Sequence, residues 1–217
     1  MLRVLNWRTA AAIAASLAIA IPAPVGDIGA VGRSGCGEWG SRQYAPPTIA
    51  VWVPHRHMIW RPTFRDYVLH VMSAGAAPAY LPDESLKAMA FGISQYAWFE
   101  ILHPSPDKVA PGLGCFDIKN GGAQGQYVWP RSGLRPWTPR QAKAYDAIAG
   151  WTAWKWHRGH LWMFRTGWRA GYGGQCGSGI DNWHLPEDEM TRCAHKGWSW
   201  RRIVTTYLHK VVLRAPY

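Results

Sequence analysis

The stretch from Asp83 to about Leu102 contains no proline and carries the longest helix signal in the chain. Asp83 suits an N-cap, because its short side chain can accept from the free N–H groups of a first turn. Leu86, Ala90, Ile93, Ala97 and Ile101 recur at helical spacing and form one apolar face. Gly92 costs such a helix roughly 1 kcal/mol against alanine, and its small size would let a neighbouring element approach closely. Elsewhere prolines and glycines cut the chain into short pieces. The expectation is an α+β fold: one compact domain with several helices packed on small antiparallel β elements.

Local signals place the shorter elements. Thr48 to Val53 is β-prone and ends at Pro54, which predicts a strand. Thr63 caps a helix expected over Phe64–Ala74, with Phe64, Tyr67, Val68, Val71 and Met72 at helical spacing. A short strand is read at Tyr127-Val128-Trp129. Thr138-Pro139 starts a helix expected to end near Gly150. Residues 151–168 alternate, with Trp154 and Trp156 on one face and Leu161, Met163 and Arg165 in a second alternation. They read as a hairpin turning between His157 and His160. A loop rich in glycine, from Gly171 to Gly179, precedes a helix opened by Pro186 and three acids and closed by Lys196 and Gly197. Ser199 caps a last helix to about His209.

The first thirty residues read as a signal peptide. Arg3 and Arg8 precede an apolar run from Thr9 to Ile21, which Pro22 and Pro24 stop. That run is shorter than the roughly 20 residues of a bilayer span, and Ala18-Ile19-Ala20 offers a cleavage site. An uncleaved anchor is the alternative, and only then would the chain be bound to a membrane. Residues 31–47 read as a flexible tether, and 48–217 as the domain. Export makes two disulfides the reading for Cys36, Cys115, Cys176 and Cys193, with three pairings possible. Cys176–Cys193 with Cys36–Cys115 is the pairing favoured.

Lysine and arginine total 24 against 13 acids, for a net charge of +11. Such a surface attracts polyanions through a salt-screened field. Inside a cell that would suggest nucleic acid. Outside, the anionic polymers of a wall or a lipid surface fit better, so no nucleic-acid partner is expected. Fifteen tryptophans exceed the need of a core this size, and their flat faces suit stacking on sugar rings, nucleobases or one another.

Five stretches, in order, resemble the stage II sporulation protein D and amidase-enhancer (SpoIID/LytB) family. They are Tyr67–Gly75; Glu84–Ala97, where Glu84, Leu86, Lys87, Ala88, Ala90, Tyr96 and Ala97 match at unbroken spacing; Gln126-Tyr127; Ala144–Gly150; and Gly179–Trp183, followed by a helix, Gly197 and Ser199–Tyr207. The resemblance covers about residues 48–213. It implies a secreted cell-wall protein acting on peptidoglycan glycan strands. Family enzymes are lytic transglycosylases in which a glutamic acid, held in a low-dielectric cleft, protonates the glycosidic oxygen.

This chain departs from that pattern at the acid. The position falls on Gly75 counting from Tyr67, or on Ala76 counting back from Glu84, and neither donates a proton. Ser94 replaces a family arginine and Cys176 a family histidine. No catalytic residue is therefore assigned. The resemblance assigns binding to Tyr96, Gln126, Tyr127, Cys176, Asp181, Asn182 and Trp183. Other acids read as structural: Glu84 as a helix-start acid, Glu100 as a helix end with burial as its alternative. His55 and His57 form an HxH without a third ligand, and His103 with Cys115 matches half of a family zinc element, so no metal and no cofactor is expected. The expected function is glycan binding, with assistance to a wall amidase or hydrolase. A transglycosylase with a relocated acid, and a basic aromatic-rich nucleic-acid binder, are the alternatives.

Overall fold

The computed structural model describes residues 43–121 and 126–216. The signal-peptide and most of the tether readings, and Cys36, lie outside the described residues. At the tether's end Pro46 is buried, and the Pro47 carbonyl accepts from Phe64 N–H at 3.0 Å.

The fold is mixed α+β. In chain order it runs β1 (Val51–Val53), β2 (Met58–Trp60), α1 (Phe64–Val71), α2 (Asp83–Leu102), β3 (Val109–Ala110), β4 (Gly114–Cys115) and β5 (Ile118–Lys119). It continues with α3 (Pro139–Asp146), β6 (Thr152–His157), β7 (His160–Met163), β8 (Gly167–Arg169), β9 (His184–Pro186), α4 (Glu187–His195), α5 (Trp200–Tyr207) and β10 (Val212–Arg214). Helix α2 spans the expected residues but is central rather than one-sided. It is covered by α1, α3, α4, α5, β8 and β9, and every residue except Asp83, Glu84, Lys87 and Phe99 is buried. The expected face is buried, and so are Phe91 and Trp98 on its other sides. Each fully buried large side chain stabilises by roughly 1.5–3 kcal/mol, so this one helix supplies a large part of the core's stabilisation. Gly92 explains one close approach: a Cβ there would lie 2.9 Å from Leu185 Cδ1 of β9.

Element ends shift from expectation for identifiable reasons. Pro82 is the N-cap of α2, and Asp83 is instead its first residue, paired with Arg140 of α3. Helix α1 stops at Val71 and widens into a π-type segment, Met72–Ala76, broken by Gly75 at φ 130. Thr138 and Gln141 form a reciprocal capping box at the start of α3, which ends at Asp146 and gives way to turns up to Gly150. The last helix ends at Tyr207. Tyr127–Trp129 form no strand. The N–H groups of Val128 and Trp129 instead donate to the Asn120 side chain, at 2.9 and 2.7 Å, so one buried asparagine replaces a neighbouring strand.

The sheets are small. β2-β1-β5 joins an antiparallel pair to a parallel one, β8 and β9 pair in parallel, and β3 and β4 pair antiparallel. The hairpin β6–β7 forms as expected, with Arg158 and Gly159 at positive φ in its two-residue turn. Its register sets Trp154 opposite Met163 and Trp156 opposite Leu161. The two alternations read from the sequence are thus one shared face. The C-terminal strand β10 extends this sheet along β6. Cys176 and Cys193 are joined in a disulfide, and Cys115 is also disulfide-bonded. No helix among the described residues is long and apolar enough to cross a membrane.

Candidate functional site

Gln95 of α2 fixes the hairpin. Its side-chain amide accepts from Ala153 N–H at 2.9 Å and donates to the carbonyls of Ala153 and Phe164 at 2.8 and 2.6 Å. With its backbone pinned, the outer face of the hairpin presents Lys155 directly opposite Trp162. Phe164, two residues on, extends the same face. The Lys155 ammonium lies 3.8 Å from the Phe164 ring centroid and donates to the Asn182 carbonyl at 3.1 Å. Packing among these groups lowers the Lys155 pKa by desolvation. Trp183 completes the strip, its ring 5.2 Å from that of Phe164. Trp162 and Trp183 are each about half exposed, at 50% and 51%. The arrangement is an aromatic face with one cation held inside it.

Asp181 builds the turn that delivers Trp183. Its Oδ1 accepts from the N–H groups of Trp183 and His184, each at 2.8 Å, and its Oδ2 faces the His184 ring at 2.8 Å. Asn182 takes a left-handed conformation, φ 66, that turns the chain. Partial burial pushes the Asp181 pKa up, but the hydrogen bonds from His184 and Trp183 outweigh it and hold the carboxyl at about 2. Asp181 is therefore ionised near neutral pH and positions the strip rather than donating protons.

The glycine loop is organised around Glu189, one of the three acids that open α4. Glu189 is 1% exposed, and its Oε1 accepts from the N–H groups of Tyr172 and Gly174 at 3.1 and 3.2 Å. A side chain at Gly171 would collide with Asp188 and Glu189, and one at Gly174 would meet Ser178 and Glu189. Gly171 and Gly174 are glycine because the loop wraps a carboxylate, and Gly173, Gly177 and Gly179 because their φ is positive. The signal in the sequence is a glycine run ahead of an acidic helix start, where the acids also suit the helix dipole. Cys176 belongs to this scaffold through its bond to Cys193.

The other residues assigned by resemblance occupy two further settings. Gln126 is buried, accepting from the Tyr67 hydroxyl at 2.8 Å and donating to the Ile93 carbonyl at 3.4 Å. Tyr67 is enclosed as well, and burial raises its pKa well above the ordinary phenol value. The Tyr96 hydroxyl accepts from Arg165 at 3.1 Å. Both side chains brace α2 rather than line an open surface. Tyr127 is half exposed and lies over Gly121. The strip therefore unites Asn182 and Trp183 with Lys155, Trp162 and Phe164, while Tyr96, Gln126 and Tyr127 stand apart.

Several carboxylates are held by neighbouring groups, while burial raises the Glu187 pKa. Gly75 is exposed, and a Cβ placed there would meet no atom within 4 Å. An acid at that point would stand in solvent, whereas Ala76, the position counted back from Glu84, is 3% exposed and holds a methyl group that carries no proton. Glu84 pairs with Lys87 and accepts from the Trp200 N–H at 2.6 Å. Glu100 is 8% exposed and bridges Lys108 at 2.7 Å and Arg165 at 2.9 Å; this is the buried alternative to a solvated helix end. Cations occupy both of its oxygens. His103 stacks on Phe99 at 3.9 Å and its Nδ1 lies 2.8 Å from the Phe99 carbonyl. Among the described residues no group of three or more His, Cys, Asp or Glu side chains is placed to hold a metal. The chain matches no protein-family model and no curated protein.

Proposed function

We propose that this is an exported cell-wall protein that binds peptidoglycan glycan strands without cleaving them, in the manner of a SpoIID/LytB relative that has lost its acid. The observation that carries the reading is the strip formed by the half-exposed Trp162 and Trp183 with the partly buried Phe164, and Lys155 set within it. Flat aromatic faces stack on the apolar faces of pyranose rings, and the ammonium suits the carboxylates that decorate wall glycans. Export is supported by the apolar N-terminal run and by the Cys176–Cys193 disulfide. The non-catalytic reading is supported by the open surroundings of Gly75 and by the engagement of Glu84, Glu100, Asp181 and Glu189 with structural partners. Assistance to a wall hydrolase follows if the bound strand is held for a second enzyme.

The test is incubation of the mature protein with purified sacculi. Sedimentation with the sacculi, with no release of anhydro-ended fragments, is the expected result. Fragments that disappear in an acid-to-amide variant such as Glu100→Gln or Glu189→Gln would establish a relocated acid instead. Failure to sediment, with salt-sensitive retention on single-stranded DNA, would favour a nucleic-acid binder.

A further inference from the structure

The β1–β2 turn and the chain after Trp129 border an open cleft of about 510 Å³, lined by His55, Arg56 and Arg131. It shares no residue with the aromatic strip. The volume falls within the range of small-molecule sites, and the named lining is entirely basic. Five of the thirteen described arginines are held by carboxylates or backbone carbonyls. Arg65, Arg140, Arg165 and Arg169 pair with carboxylates, and Arg192 donates to the carbonyls of Gly173 and Gly174. Arg56 and Arg131 pair with no carboxylate among the described residues. Two like charges bordering one cleft repel weakly through solvent, and an anion lying between them would turn that repulsion into attraction.

Both arginines stand on fixed backbone. Arg56 ends the tight turn Pro54–Arg56, closed by the His57 N–H on the Pro54 carbonyl at 3.0 Å, with His57 left-handed at φ 48. Its guanidinium lies 5.6 Å from the centre of the Trp129 ring. Arg131 follows Trp129, whose backbone Asn120 grips from both sides, and sits in a turn closed by Gly133 N–H on the Pro130 carbonyl at 2.9 Å. Guanidinium forks match the paired oxygens of a phosphate. The cleft is too roomy for a bare ion and suits a phosphate with a sugar or polyol attached.

We propose that this cleft is a second binding site, for a phosphate ester. The test is titration of the mature protein with glycerol 3-phosphate at constant ionic strength, followed by calorimetry and by the arginine side-chain N–H signals in NMR. Saturable binding that shifts the Arg56 and Arg131 signals is expected. The pair Arg56→Gln/Arg131→Gln should weaken it at least tenfold, while Arg158→Gln, which removes one charge at the hairpin tip, changes it less than twofold. Arg56→Lys/Arg131→Lys keeps the charge and loses the forks, so intermediate weakening is expected. Poly(glycerol phosphate) and phosphatidylglycerol vesicles, used as competitors, tell a wall polymer from a lipid headgroup as the carrier. Absence of saturable binding, or shifts confined to other arginines, overturns the proposal even if the variants fail to fold.

Discussion

The Glu84 carboxylate, in the first turn of α2, accepts a hydrogen bond from the backbone N–H of Trp200, the first residue of α5, at 2.6 Å. Two helix starts that are far apart in sequence thus share one acid. Glu84→Ala leaves that N–H without its acceptor and should cost about 1–2 kcal/mol, lowering the melting temperature by roughly 2–8 °C. Sedimentation with sacculi should be unchanged per folded molecule. A loss of binding with no loss of stability would give Glu84 a role at the ligand instead.

Trp162 and Trp183 should behave differently from each other. Trp162→Ala removes a half-exposed ring and should weaken glycan binding by about 1–2 kcal/mol, or roughly 5–30-fold, while stability moves by about 0.5 kcal/mol or less. Trp183→Ala also uncovers Phe164 and should lower both. Binding isotherms on soluble glycan fragments, read beside thermal melts, separate the two effects.

Asp181 ties stability to acid pH. Its folded-state pKa of about 2 lies below the ordinary aspartate value of about 4. The ionised form therefore stabilises the fold above about pH 4, and that contribution disappears as pH falls through about 2. Because the carboxylate is 38% exposed, solvent screening limits its worth to on the order of 1 kcal/mol. Asp181→Asn should be less stable than wild type at pH 6 by that amount, with the gap closing by pH 2. A gap independent of pH would show that the amide disturbs the turn for another reason.

The Cys176–Cys193 bond closes a segment of 17 residues. Chain entropy puts its contribution at about 3 kcal/mol. Cys176→Ala/Cys193→Ala should lower the denaturant midpoint accordingly. It should also raise amide exchange between Gly171 and Gly179 before it affects α2.

What the residues disclosed beforehand were features written into a few neighbouring positions. The span of α2, the turn at Arg158-Gly159, the Ser199 cap and the close approach at Gly92 each depend on local chemistry. What they withheld depends on partners distant in the chain. Asn120 replaces a strand for Tyr127–Trp129, and nothing beside Tyr127 announces it. β10 joins β6, and β5 joins β1 in parallel, through pairings that no local period encodes. The all-round burial of α2 is half visible: Phe91 and Trp98 mark its other faces as apolar, but Ser85, Ser94, Gln95 and Glu100 there read as polar. The strip was legible only at Asn182 and Trp183, since Lys155 and Phe164 reach it through the hairpin register. Gln126 and Tyr96 hold neighbouring side chains in the fold, and a polar or phenolic group looks the same in a sequence whether it meets ligand or another side chain.

Glu189 and Cys193 are four residues apart, one turn of α4, and each grips the glycine loop. Two rivets along one rod leave the loop no independent hinge. A mutation that rotates α4 would pull Tyr172 and Cys176 with it while Gly177 stays tied to the Tyr207 hydroxyl of α5 and Gly179 to Arg169 of β8, so the loop would tear at its far end first.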